Sequence, residues 1–129
     1  MRIPVVILSF CFIVFLACAG GAELVFKKGM ADKDPELLKI AQNLNPLVSV
    51  YFYEDYRLTG NLKTLLHAVR REPTKPAYHM YYGLALLKQK TRTRASDREA
   101  VIEICQAACL KPYSAQYQSI CEQYKKLIR

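Results

Sequence analysis

The feature that most limits how this chain can fold is a tyrosine-rich pattern that occurs twice. The first copy reads Pro-Leu-Val-Ser-Val-Tyr-Phe over residues 46–52, and the second reads Pro-Ala-Tyr-His-Met-Tyr-Tyr over residues 76–82. Each copy runs on to a further proline, Pro73 in the first case and Pro112 in the second. A repeat of this length predicts stacked pairs of helices, because each pair buries its apolar face against its neighbours.

Helix start and stop signals predict an all-α fold class, with stacked antiparallel helix pairs and no sheet. Asp34 and Pro35 begin the first helix, because aspartate caps free amides and proline needs no donor at that place. Ser96-x-x-Glu99 is typical of a capping box and predicts a helix start at Ser96. In the last helix, apolar spacing puts Leu127 on the buried side. The six predicted helices cover about residues 34–44, 46–58, 62–71, 76–89, 96–110 and 115–129, with Ile128 also expected to be buried.

The first 22 residues belong to a different class from the rest of the chain. Arg2, an apolar stretch and an Ala-x-Ala pattern ending at Ala19 are typical of a cleaved secretory signal. The stretch also approaches the roughly 17 to 25 residues that span a bilayer, so a retained anchor is an alternative. A third interpretation is a lipoprotein-type signal with lipidation at Cys18. All three predict one domain over residues 23–129, exported to the periplasm or the extracellular space.

The charge of the chain favours anionic partners in a general way. There are 19 Lys and Arg residues against 11 Asp and Glu residues, a formal net charge of +8. A basic segment over residues 88–98 is expected to be a solvated loop, with an anionic surface such as lipid headgroups as the alternative. No tyrosine interleaves this segment, which argues against nucleic acid. Its basic residues are Lys88, Lys90, Arg92, Arg94 and Arg98.

Three cysteines follow the predicted signal, and an odd number in an exported protein leaves one unpaired or paired between chains. Cys105 and Cys121 stand at similar distances from Pro112, so an antiparallel helix pair would bring them level for a disulfide. Cys109 lies one turn from Cys105 and competes as the partner. Three buried thiols are a further alternative, because free cysteine packs as a small hydrophobe.

Catalytic and metal-binding patterns are not apparent in the sequence. His67 and His79 form no recognisable metal pair or catalytic set with nearby residues. No glycine-rich phosphate loop occurs. Glu54, Asp55 and Glu72 are expected to be exposed helix charges. The sequence therefore predicts no enzymatic activity, no metal site and no cofactor.

Residues 76–112 resemble a tetratricopeptide repeat. In the first helix, Tyr82 and Gly83 match the large residue and the small residue that the family has where the paired helices cross closely. Residues 46–73 are a degenerate copy, because Tyr53 replaces the crossing glycine. The second helix matches the family spacing of alanine, a large apolar residue, alanine and proline at Ala100, Ile104, Ala107 and Pro112.

This resemblance implies a short right-handed array that serves as a protein–protein interaction adaptor or assembly factor. In such arrays the first helices line a groove for a peptide or helix of a partner, although apolar residues at helical spacing can equally be core. A structural subunit of an envelope or secretion assembly is one alternative function. A basic protein that associates with an anionic membrane surface is another. The groove residues that the resemblance implies are Val50, Tyr51, Arg57, Met80, Tyr81 and Leu84.

Overall fold

The computed structural model describes residues 3–128, with side chains from residue 7 onward, and Arg2 of the predicted signal lies outside that range. The described part is built from helices without any strand, which confirms the all-α class. There are seven helices rather than six because the N-terminal segment is itself helical. They are α1 (Ile3–Asp32), α2 (Pro35–Leu44), α3 (Ser49–Thr59), α4 (Leu62–Arg71), α5 (Pro76–Leu87), α6 (Arg94–Leu110) and α7 (Ala115–Lys125).

Each helix packs against the next one along the chain. In the α5–α6 pair the early residue His79 contacts Glu103, whereas the later residue Tyr82 contacts Glu99. The order of contacts reverses, so these two helices are antiparallel. The backbone carbonyl of Ala108 on α6 accepts a hydrogen bond from α7 at 2.9 Å.

Four of the six predicted starts, including those at Asp34 and Pro76, agree with the structure, and those at Pro46 and Ser96 do not. The Asp34 side chain accepts from the Glu36 amide at 2.9 Å, and α5 begins at Pro76. The helix predicted from Pro46 begins only at Ser49. The Asn45 side chain accepts from the Leu47 amide at 3.4 Å, and this turn delays the helix.

The capping box of α6 is formed by a different pair from the predicted one. Thr93 is the N-cap, and its hydroxyl accepts from the Ser96 amide at 3.1 Å. The Ser96 hydroxyl in turn accepts from the Thr93 amide at 3.0 Å. The helix therefore begins at Arg94, and the connection from α5 is shortened to residues 88–93. Glu99, the predicted partner in the box, instead accepts from the Tyr82 hydroxyl at 3.1 Å.

The last helix is shorter than predicted, because α7 ends at Lys125. Leu127 and Ile128 are 51% and 38% exposed, so the prediction that they are buried is wrong. Cys121 is buried, as the helical spacing indicated. An apolar tail consequently follows α7 at the surface.

Helix α1 passes through the predicted boundary at residue 22 without a break. Residues Ile7–Asp32 are long and apolar enough to cross a membrane by length and composition, and an 18-residue window within them has a mean hydropathy of 2.1. The second half of the helix packs on the rest of the molecule. Ala22 is fully buried, and the Phe26 ring stacks on Tyr51 with centroids 4.6 Å apart.

The core of residues 7–128 consists of three adjoining apolar clusters. One lies between α3, α4, α5 and α6, a second between α5, α6 and α7, and a third between α1, α2 and α3. Asp55 is 2% exposed, so the expectation of an exposed charge is wrong there. Its carboxylate accepts from Gln42 Nε2 at 3.0 Å and from the Thr59 hydroxyl at 3.4 Å. These donors compensate for the loss of hydration on burial.

Candidate functional site: a tyrosine surface between α3 and α5

Helices α5 and α6 approach each other closely at Gly83. A Cβ atom on Gly83 would lie 2.7 Å from the Ala100 carbonyl oxygen and 2.7 Å from Ile104 Cγ1. Only a residue without a side chain lets α5 and α6 approach this closely. The small residue expected at this crossing from the resemblance is therefore required at Gly83 by the packing.

Tyr53, the residue that replaces this glycine in the first copy, points toward α5. Its ring centroid lies 5.2 Å from that of Tyr78 and 5.5 Å from that of Tyr81. These are ordinary distances for tilted aromatic pairs. Tyr53, Tyr56, Arg57 and Tyr81, together with Gly60, line an open concavity of about 590 Å³. We call these four side chains the tyrosine surface.

The tyrosine surface is half apolar and half polar. Burial, followed by hydrogen bonding to the Tyr81 hydroxyl, raises the pKa of Tyr53 to about 12, so this phenol stays protonated at physiological pH. Arg57 Nη1 lies 3.0 Å from Glu54 Oε2 on the same helix. That ion pair holds the guanidinium beside the rings, because pairs at this spacing share one helix face.

The structure brings together only two of the six residues implied as a groove. Arg57 and Tyr81 are exposed, the latter by 47%, and both line the tyrosine surface. Tyr51 and Met80 are 2% and 5% exposed and belong to two different core clusters. The other two are half-buried, Val50 against the α1–α3 cluster and Leu84 against the α5–α7 cluster.

Helix α1 explains why Tyr51 faces the core. The phenol ring of Tyr51 is covered by Phe26, and the Tyr51 hydroxyl donates to Glu23 Oε2 at 3.2 Å. Neither residue had been assigned to a helix from the sequence. A packing role for Tyr51 was one of the two interpretations left open, and the contacts support it.

Tyr53 and Tyr56 belong to the tyrosine surface but were not among the implied groove residues. Tyr53 had been assigned to the α3–α4 crossing, because it occupies the place of the family's glycine. The spacing of Tyr53, Tyr56, Arg57 and Gly60 at i, i+3, i+4 and i+7 is the signal that identifies one helix face. This spacing alone does not reveal which neighbouring helix that face packs against.

A polar seam crosses the turn between α4 and α5, on the side where α3 and α6 approach it. Ser49 donates to Glu72, and its oxygen lies 3.3 Å from the Tyr78 hydroxyl. His79 is 6% exposed, with Nδ1 2.6 Å from Glu103 Oε2 and Nε2 2.7 Å from the Pro73 carbonyl. These side chains satisfy one another's hydrogen-bonding groups. We therefore assign them the role of holding the helices together.

The five basic residues of segment 88–98 are all exposed but do not act as one patch. Arg92 Nε lies 2.8 Å from Asp97 Oδ1. Arg94 and Arg98 lie on α6 beside Ile102 and the apolar tail. Lys88 and Lys90 extend from the connection, on the other side of Arg92 in the chain.

The sulfur atoms of Cys105 and Cys121 are 2.04 Å apart, which is disulfide distance and favours this pairing over the alternatives. Their Cα atoms are 4.9 Å apart, across the α6–α7 pair. Cys109 is free and exposed. Cys18 lies half-buried on α1, within the apolar segment.

Metal ligands do not gather anywhere in the part of the chain that the structure describes, since no three His, Cys, Asp or Glu side chains are placed to hold an ion. Comparison with known proteins adds no family assignment. No protein-family model matches the chain, and no curated protein matches it either. The interpretation of its function therefore depends on the molecule's own geometry.

Proposed function

We propose that this protein is an exported interaction adaptor or assembly factor with a tetratricopeptide-like helical array and no catalytic role. It buries a segment of a partner protein against the tyrosine surface. The single observation that carries the proposal is the concavity of about 590 Å³ lined by Tyr53, Tyr56, Arg57 and Tyr81.

The chemistry of this concavity suits a peptide or helix better than a small substrate. Tyrosine and arginine are the residues that most often dominate binding energy at protein interfaces, because they bury a large area and keep polar tips. Tyr81 is 47% exposed although one edge packs on Tyr53, so its area is available to a partner. The ring contacts also limit the rotamers of both side chains, which lowers the entropy lost on binding.

The proposed export rests on two features outside the tyrosine surface. The apolar half of α1 has the composition of a signal or anchor. The Cys105–Cys121 pair at disulfide distance fits an oxidising compartment. Intact mass of the protein isolated from its membrane or medium distinguishes cleavage after Ala19 or Ala22, acylation of Cys18 and a retained anchor.

The test of the adaptor function compares three forms of the protein as bait in a native extract, followed by calorimetry with any recovered partner. The double variant Tyr81→Ala/Arg57→Ala removes exposed groups from the tyrosine surface. We expect its affinity to fall roughly 30- to 150-fold, as for loss of a hot-spot pair worth on the order of 2 to 3 kcal/mol. Thermal unfolding should change little, because both side chains are exposed.

The matched control is Tyr113→Ala. Tyr113 is fully exposed and lies between α6 and α7, away from the tyrosine surface. The Tyr113→Ala variant removes an exposed tyrosine side chain, as the double variant does at Tyr81, and should leave affinity for the partner unchanged. Equal binding by the double variant and the wild type would refute the proposed function.

A further inference from the structure

A second concavity lies between the first turns of α6 and the apolar tail that follows α7. Its volume is about 540 Å³, within the range of roughly 300 to 1,000 Å³ that is usual for ligand pockets. None of its residues belongs to the tyrosine surface. We call it the α6 groove, and its lining residues are Arg94, Ala95, Arg98, Glu99, Ile102 and Ile128.

One end of the α6 groove carries two guanidinium groups with no ion pair to another residue in the described part of the chain. Arg94 and Arg98 are one helical turn apart and lie on the same face of α6. Both are exposed, and no carboxylate among residues 7–128 forms an ion pair with either one. Arg92, by contrast, is paired with Asp97.

One carboxylate also lines the α6 groove. Glu99 accepts a hydrogen bond from the Tyr82 hydroxyl at 3.1 Å, which orients it toward α5. The two arginines outnumber it, so the lining remains positively charged. Arginine forks bind carboxylates with two parallel hydrogen bonds, which favours an anion here over other ligands.

The other end of the α6 groove is apolar and open. Ile102, in the middle of α6, is 58% exposed. Ile128 of the tail is 38% exposed and faces the same space. Ile102 lies eight residues after Arg94, so the two ends are about 12 Å apart along the helix axis.

We propose that the α6 groove binds one molecule of a free, single-chain anionic amphiphile of the fatty-acid class. The carboxylate lies between Arg94 and Arg98, and the alkyl chain lies along Ile102 and Ile128. Charged and apolar groups at opposite ends of one concavity match a ligand with a head and a tail.

The probe for this proposal is decanoate, titrated calorimetrically into the full-length protein below the concentration at which decanoate forms micelles. The variant Arg94→Gln/Arg98→Gln should bind at least tenfold more weakly, and Ile102→Asn should weaken binding by a similar factor. Decanol, which has the same chain and no charge, should bind at least tenfold more weakly to the wild type. Raised salt should weaken decanoate binding, because the head contacts are ionic.

The control variant is Lys88→Gln/Lys90→Gln. It removes the same two positive charges from the same basic segment, but these residues do not line the α6 groove. Its affinity for decanoate should stay within about twofold of the wild-type value, since only the general charge has changed. Circular dichroism checks that every variant is folded, and Arg98→Gln alone replaces the double variant if that variant is not.

Three results would overturn the proposal. One is an equal loss of affinity in the lysine control, which would assign binding to net charge. Another is equal binding of decanol and decanoate, which would remove the role of the arginines. The third is binding to vesicles containing anionic lipid with none to decanoate, which would assign these residues to a membrane surface.

Discussion

The α3–α4 and α5–α6 pairs come from the two copies of one sequence pattern, yet they are held together differently. In α5–α6, Gly83 brings the backbones so close that a Cβ atom would meet the Ala100 carbonyl at 2.7 Å. In α3–α4, large side chains lie between the helices. The Phe52 ring is 5.6 Å from His67, and the Arg71 guanidinium lies 4.8 Å above it.

The difference between the pairs shows how a large residue at one position can build a surface. Tyr53 stands in the first copy where the second copy has Gly83, and its ring packs on Tyr78 and Tyr81 of the next helix pair. In the α5–α6 pair, the position of Gly83 serves only the packing of the two helices. In the α3–α4 pair, Tyr53 at the equivalent position helps to line the concavity that we propose as the binding site.

The largest effect is expected when the close crossing is filled. Gly83→Ala should lower the free energy of unfolding by about 2 kcal/mol, because overpacking of about 3 kcal/mol exceeds the helix-propensity gain of about 1 kcal/mol. Urea denaturation measures the change. In the control Gly21→Ala, made in the uncleaved chain, a Cβ atom has nothing within 4 Å, and no loss is expected. A Gly83→Ala protein of wild-type stability would show that the α5–α6 crossing has more room than these distances indicate.

A smaller effect is expected from the polar contact that closes the α3–α4 pair. Ser49→Ala removes the hydroxyl that donates to Glu72, and the loss should be about 1.5 kcal/mol for a bond to a charged acceptor. Urea denaturation is again the measurement. Ser119→Ala on α7, at an exposed serine, should change stability by less than about 0.5 kcal/mol. Equal effects of the two changes would mean that the seam contributes nothing to pairing.

A pH-dependent effect is expected from alkaline titration, which tests one phenol in each pair. Burial and the bond to Glu99 raise the pKa of Tyr82 to about 12, and that of Tyr53 is also raised to about 12, from an ordinary value of 10.0. Both phenols lose protons more readily in the unfolded chain. Their contribution to stability is therefore complete below pH 10.0 and is lost as pH rises through about 12.

The readout is the slope of unfolding free energy against pH between those limits. Tyr82→Phe and Tyr53→Phe should each make the decline shallower, because each removes one group that titrates differently in the two states. A constant offset from the lost hydroxyl bond does not change the slope. If neither variant alters the decline, the two phenols are not the groups responsible.

Helix starts were predictable where a single residue caps its own helix, and less so where neighbours compete. Asp34 and Pro76 begin their helices as local rules require. The capping box at α6 was misplaced, because Thr93 and Ser96 satisfy each other one turn earlier than Ser96 and Glu99 would. The Tyr82 hydroxyl donates a hydrogen bond to Glu99 across the α5–α6 interface, and no local capping rule describes that contact.

The structure agrees only in part with the groove that the resemblance implied. Arg57 and Tyr81 are exposed and line the tyrosine surface, whereas Tyr51 and Met80 are buried in the core. The error for Tyr51 comes from Phe26 and Glu23 on α1, which cover a face that would otherwise be open. Burial of Asp55 by Gln42 has the same origin, a neighbour supplied by another helix.

The sequence by itself determined the helical class, most of the helix boundaries, the need for a small residue at Gly83 and the level position of Cys105 and Cys121. These follow from periodicity, caps and spacing, which act within a helix or across one hairpin. Only the tertiary structure decided which tyrosines are covered and that Tyr53 joins Tyr81. Burial is a property of neighbouring helices, and a periodic apolar face looks the same in the sequence whichever neighbour it meets.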